Sequence, residues 1–69
     1  MEIDGAKLKK VREDRFVGVR ELSRISGVAH STIIRIESEG RTNTWPRTIR
    51  KLASALSVDP KTLRADRDE

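Results

Sequence analysis

The sequence predicts an all-α fold, one compact domain of five short helices, on three observations. Aromatic residues are scarce, with one Phe, one Trp and no Tyr among 69 residues, and no segment shows the strand-like alternation of apolar and polar residues. Gly, Pro, Asn and Asp punctuate the chain at helix-length intervals. Between these breaks the apolar residues recur three and four positions apart, which puts them on one face of a helix.

Taken in order, Asp4 is placed to cap a first helix over 5–14, with Leu8 and Val11 inward and Lys7, Lys9 and Lys10 toward water. Phe16 and Val17 follow as apolar loop residues. A second helix over 19–26 turns Leu22 and Ile25 inward, and Gly27 stands where a left-handed residue ends a helix. Val28 is the apolar residue of a tight turn, and a third helix covers 29–38. The segment "EGRTNT", 39–44, reads as a loop. Pro46 suits the first turn of a fourth helix, where a missing N–H costs nothing; it reaches about residue 57 and buries Ile49, Leu52, Ala53 and Leu56. Val58 is a further core candidate, and Asp59 with Pro60 opens a short fifth helix that buries Leu63. Residues 1–64 form the domain and 65–69 a charged tail.

Composition narrows the function. The net charge is +4, and residues 5–58 hold twelve Lys/Arg against five Asp/Glu. A basic middle between acidic ends favours a polyanionic partner, nucleic acid first. There is no cysteine, hence no disulfide and no thiolate metal site, and the single histidine argues against a histidine zinc site. No metal or cofactor is expected. The apolar runs are too short to span a membrane and the N-terminus does not read as a signal peptide, so a cytoplasmic location is expected. An enzyme is a poor expectation: there is no glycine-rich phosphate loop, and "SGVAHS" has no nucleophile spacing. RNA binding has little support beyond charge, because aromatics for base stacking are few.

Two short helices joined at Gly27 form a helix-turn-helix pattern. Ser23 is small enough for a close helix crossing, Gly27 permits a positive φ, and Val28, Ile33 and Ile36 pin the third helix to the core. A helix advances about 100° per residue, so with Ile33 and Ile36 inward, Ser31 and Arg35 face outward. Ile34 falls at the edge of that outer face, and His30 nearer the boundary.

The stretches "LKKVREDR", "VRELSRISGVAHSTIIRIE" and "PRTIRKLASALSVDPKTL" resemble, in this order, the Xre/Cro-type domain of phage repressors and their bacterial relatives. The resemblance covers residues 4–64 and implies the five-helix lambda-repressor-like fold, with helices 2 and 3 as the helix-turn-helix. It implies sequence-specific binding of double-stranded DNA by a transcriptional regulator, acting as a homodimer with helix 3 in the major groove. It places base contacts at His30, Ser31, Thr32, Ile34 and Arg35. Phosphate contacts are expected at Arg20, Arg24, Arg41, Arg47, Thr48 and Arg50, with Lys51 nearby. Arg12 matches an arginine of helix 1 that pairs with the glutamate ending helix 3, here Glu37. Leu63 and Trp45 are candidates for a dimer surface. Three departures stand out. Gly18 and Val19 occupy places where a polar cap and a glutamine are common, Ala29 replaces a Ser or Thr cap, and a longer loop carries Trp45.

Each assignment has a plainer counterpart. For Arg35 it is a solvated residue or a phosphate contact, for His30 a helix cap or phosphate contact, for Ile34 an ordinary exposed isoleucine, and for Trp45 a lid over helix 4. A protein-interaction module, an antitoxin or adaptor that binds a toxin or the transcription machinery, is the second functional class.

Overall fold

Asp4 starts the first helix by the means its side chain offers. In the computed structural model, which describes residues 1–65, Asp4 is extended and its Oδ1 accepts the N–H groups of Ala6 at 2.9 Å and Lys7 at 3.4 Å. Two of the donors that a helix start leaves unpaired are thereby satisfied. Helix α1, Gly5–Asp14, follows with Leu8 fully buried and Val11 half-buried. It ends at Arg15, and the chain turns on Phe16, whose φ of 57° is left-handed and whose side chain is 94% exposed.

Helix α2, Val19–Ser26, stops at Gly27 with φ 78°. The Gly27 N–H donates to the Ser23 carbonyl at 2.9 Å, the Ser23 hydroxyl donates to the Val28 carbonyl at 2.7 Å, and Ser26 Oγ accepts the Val28 N–H at 3.1 Å. The turn is therefore closed on itself by residues with small polar side chains. Leu22 is buried as expected, but Ile25 is 47% exposed. The correction follows from the shortness of α2. Leu22 is the one fully buried residue of α2, Val19 packs half-buried against the core, and Ile25 falls on the rim of the stripe, beside α4.

Helix α3, His30–Glu39, buries Ile33 and Ile36 completely and ends at Gly40. The expected loop after it is instead a strand, β2, Arg41–Asn43, paired antiparallel with β1, Glu2–Asp4. The register sets Glu2 opposite Asn43, Ile3 opposite Thr42 and Asp4 opposite Arg41. Gly40, at φ 77°, redirects the chain, and its carbonyl accepts the Gly5 N–H at 2.7 Å. Ile3 becomes a fully buried core residue on β1. On its other side Ile3 bridges to Arg64, with the Asp4 N–H on the Leu63 carbonyl at 2.9 Å and the Ala65 N–H on the Glu2 carbonyl at 3.1 Å.

Helix α4, Pro46–Ala55, begins at Trp45 with no side-chain cap. Ile49, Leu52, Ala53 and, just beyond the helix, Leu56 fill the core, and Val58 packs half-buried against it. The expected fifth helix is only a 3-10 turn, Pro60–Thr62, capped by Asp59 Oδ1 on the Lys61 N–H at 2.8 Å. It cannot lengthen because Leu63 to Ala65 are claimed by the backbone of β1. The fold is thus four helices and a small strand pair. Ala65, assigned to the tail, is buried in the body of the domain; the remaining tail positions, 66–69, lie outside the described residues.

Candidate nucleic-acid interface

The outer face of α3 is held in place from behind. Arg12 of α1 donates from Nε to Glu37 Oε2 at 2.7 Å and from Nη2 to Oε1 at 3.0 Å, and its Nη1 donates to the Val17 carbonyl at 2.9 Å. Both side chains of the pair are only about a tenth exposed. The Glu37 carboxylate, through these bonds and its charge, raises the guanidinium pKa above its ordinary value against the opposing effect of burial. A planar two-armed donor on a carboxylate fixes direction as well as distance. One side chain thus ties α1, the following loop and the end of α3 together.

With Ile33 and Ile36 turned into the core, Ser31, Ile34 and Arg35 stand exposed, and His30 and Thr32 are half-buried beside them. The five residues lie along the first turns of α3 as the helical phase requires, and Ile34 is 47% exposed. Arg35 is engaged by Glu39, one turn on, at 3.4 Å, with both side chains about half exposed. Glu39 was not among the sequence expectations, although its four-residue spacing from Arg35 on a helix was a readable signal. Such an exposed pair is weak and exchanges readily for a stronger acceptor.

Basic side chains flank this face. Arg20 and Arg24 are exposed on α2, Arg41 on β2, and Arg47, Arg50 and Lys51 on α4. Trp45 is no lid: it is 69% exposed, and the Arg47 guanidinium sits 5.7 Å from its ring centroid. That stack was legible in principle, since Trp45 and Arg47 straddle a proline at a helix start. Thr48 is half-buried and its N–H already donates to the Trp45 carbonyl at 2.9 Å, so little of that donor remains for a ligand. Leu63 is fully buried and presents no side chain to a partner. Among the described residues no group of His, Cys, Asp or Glu is arranged to hold a metal, and no helix is long and apolar enough to cross a membrane.

A Gly27-closed pair of helices, the second clamped from behind and exposed in front, with exposed cations on the other elements, defines a helix-turn-helix domain of the kind found in DNA-binding regulators. The chain belongs to the helix-turn-helix family HTH_3, whose model matches residues 8–63, a family of DNA-binding transcriptional regulators. It is 43% identical over 58 residues to the HTH-type transcriptional repressor RghR of Bacillus subtilis (strain 168), which covers 84% of the chain but only 43% of that relative. The chain therefore spans less than half the length of this curated relative. Among solved structures, the N-terminal DNA-binding domain of the master biofilm regulator SinR from Bacillus subtilis superposes with a TM-score of 0.81 at 28% identity, covering 97% of each chain. The restriction-modification controller protein C.AhdI from Aeromonas hydrophila gives 0.76 at 29% identity, over 84% of this chain and 86% of that one. A mutant of hydroxyethylphosphonate dioxygenase gives 0.83 at 28% identity, with the whole chain matching 15% of the enzyme. The same fold thus serves inside an enzyme as well as in regulators, and function has to be argued from the site.

Proposed function

We propose that this domain binds double-stranded DNA sequence-specifically as a homodimer and represses transcription, with one α3 entering the major groove at each of two half-sites. The observation that carries the reading is the two-sided character of α3. Ile33 and Ile36 anchor it while Ser31 and Arg35 project from the opposite side, with Ile34 exposed at its edge. Arg35 offers a guanine O6 and N7 a two-armed contact, Ile34 a surface for a thymine methyl, and Ser31, Thr32 and His30 less selective hydrogen bonds. Arg20, Arg24, Arg41, Arg47 and Arg50 supply phosphate contacts that set register and carry no base preference. Thr48 contributes through its hydroxyl. The half-site centres lie about 34 Å apart in such a dimer. Repression is the activity named for the similar RghR. The chemistry asked of the domain is recognition, not catalysis, and needs no cofactor. Its place is the cytoplasm, on the nucleoid.

Selection of bound duplexes from a random pool, at stated salt, tests this. The wild type enriches a two-fold-related motif. Ser31→Ala and Arg35→Ala each relax preference at particular positions within it. A pool that stays flat while the protein still binds DNA would reduce the domain to a nonspecific backbone binder and overturn the proposal.

A further inference from the structure

A second surface lies between α2 and α4, formed by residues that the outer face of α3 does not use. It is an open groove of about 450 Å³ lined by Ile25, Ser26, Arg47, Arg50, Lys51, Ser54 and Ala55. Its composition is uneven. Arg47, Arg50 and Lys51 stand on one wall, and no acidic residue lines it. Arg50 and Lys51 have no ion-pair partner among the described residues. Ile25, which helical phase alone would place toward the core, is instead 47% exposed at the opposite wall, with Ala55 half-buried below.

We propose that this groove docks an acidic protein segment that carries one aliphatic side chain. Ile25 and Ala55 receive the aliphatic group, Arg50 and Lys51 take the flanking carboxylates, and the Ser26 and Ser54 hydroxyls serve the rim. The mixed lining selects this occupant over nucleic acid. A sugar-phosphate strand satisfies the cations and leaves Ile25 idle, whereas an acidic segment with an aliphatic anchor uses both walls. The arrangement also matches what protein contacts reward, apolar contact beside charges that set orientation. Arg47 and Arg50 are shared with the phosphate contacts proposed above, so occupancy of the groove weakens DNA binding. That consequence rests on the DNA reading, while docking itself does not.

The test uses the chain as it stands. An acetylated helical peptide of about a dozen residues, with glutamates flanking a central leucine, is titrated into isotopically labelled protein and the amide shifts are followed. Saturating shifts confined to Ile25, Ser26, Arg50, Lys51 and Ser54 support the proposal. Replacing the peptide leucine by alanine, or Ile25→Ala in the protein, then weakens binding about fivefold or more, and Lys51→Gln about threefold. Both protein variants alter exposed positions, and unchanged melting temperatures establish that they fold. Absence of saturation, shifts on α3 instead, or an Ile25→Ala variant that binds as the wild type does would overturn the docking site. A short DNA duplex is the comparison: shifts at Ser31 and Arg35 that spare Ile25 support separate surfaces, and equal shifts at Ile25 that Ile25→Ala abolishes assign the groove to DNA and overturn the proposal. Failure of the duplex to bind at all would sink the DNA reading while leaving the peptide result to stand.

Discussion

The Arg12 guanidinium meets the Glu37 carboxylate with two parallel hydrogen bonds, of 2.7 and 3.0 Å, in a site where each side chain is about a tenth exposed. This pair holds α3 against α1. Glu37→Ala leaves a nearly buried guanidinium with only the Val17 carbonyl for company, at a cost of about 3 kcal/mol. In a domain of this size that lowers the melting temperature by about 10 °C or more; an unchanged Tm would remove the pair from the stability account. The upward shift of the Arg12 pKa has a defined sign. The stability it represents is fully present below the ordinary arginine pKa and is lost only as pH rises through the raised value. Titration of Arg12 therefore adds no slope to stability at neutral pH, which denaturant melts at several pH values will register.

Gly5 gives a second stability prediction. A Cβ on Gly5 would overlap the Ile36 carbonyl oxygen, backbone that cannot yield cheaply. Gly5→Ala therefore costs about 1–3 kcal/mol in spite of alanine's better helix propensity. Urea unfolding measures it directly, and a stabilised variant would show that α1 and α3 do not approach as described.

Phe16 predicts the opposite sign. It holds a left-handed φ of 57° while exposing nearly all of its ring. The strain costs about 1–2 kcal/mol for a side chain with a Cβ, against about 0.5–1 kcal/mol for the greater unfolded freedom of glycine. Phe16→Gly should therefore raise the Tm by a few degrees.

Ile33 and Ile34, adjacent in the chain, separate by experiment. Ile33 is fully buried and Ile34 is 47% exposed. Ile33→Ala costs about 2–5 kcal/mol, whereas Ile34→Ala leaves the fold nearly as stable and loses preference at a thymine in duplex selection. A destabilisation of Ile34→Ala by about 2 kcal/mol or more would mean that it serves the core.

Trp45 and Arg47 form a stacked pair at the start of α4. Stacking pre-orders the guanidinium for a phosphate. Arg47→Ala should lower DNA affinity and reduce the salt slope by about one per subunit. Trp45→Leu should lower affinity a few-fold with the slope unchanged, and have no further effect on top of Arg47→Ala. An equal loss in both backgrounds would show that Trp45 acts on its own.

The helix-turn-helix was readable because its determinants are local. Asp4 caps α1 from its own first turn, Gly27 takes the left-handed φ its position demands, and Ile33 and Ile36 repeat at the period of the helix they anchor. The outward set on α3 follows from the same phase. Arg12 and Glu37, distant in sequence, came only through family resemblance.

What tertiary structure alone decided is non-local. Three residues at each of two places, about forty positions apart, pair as β1 and β2, and neither segment is long enough to show a strand period. That pairing turned Ile3 into core, drew Leu63 to Ala65 alongside, and stopped the fifth helix at a single turn. Helical phase points Ile25 inward and the loop before α4 offers Trp45 as a lid, but neither reading says which distant elements will cover them. Leu22, Ile33 and Leu52 are fully buried while Ile25 stays 47% exposed, and Trp45 stays 69% exposed with the Arg47 guanidinium over its ring. Periodicity therefore sets which way a side chain points, and the packing of distant elements sets whether anything is there to meet it.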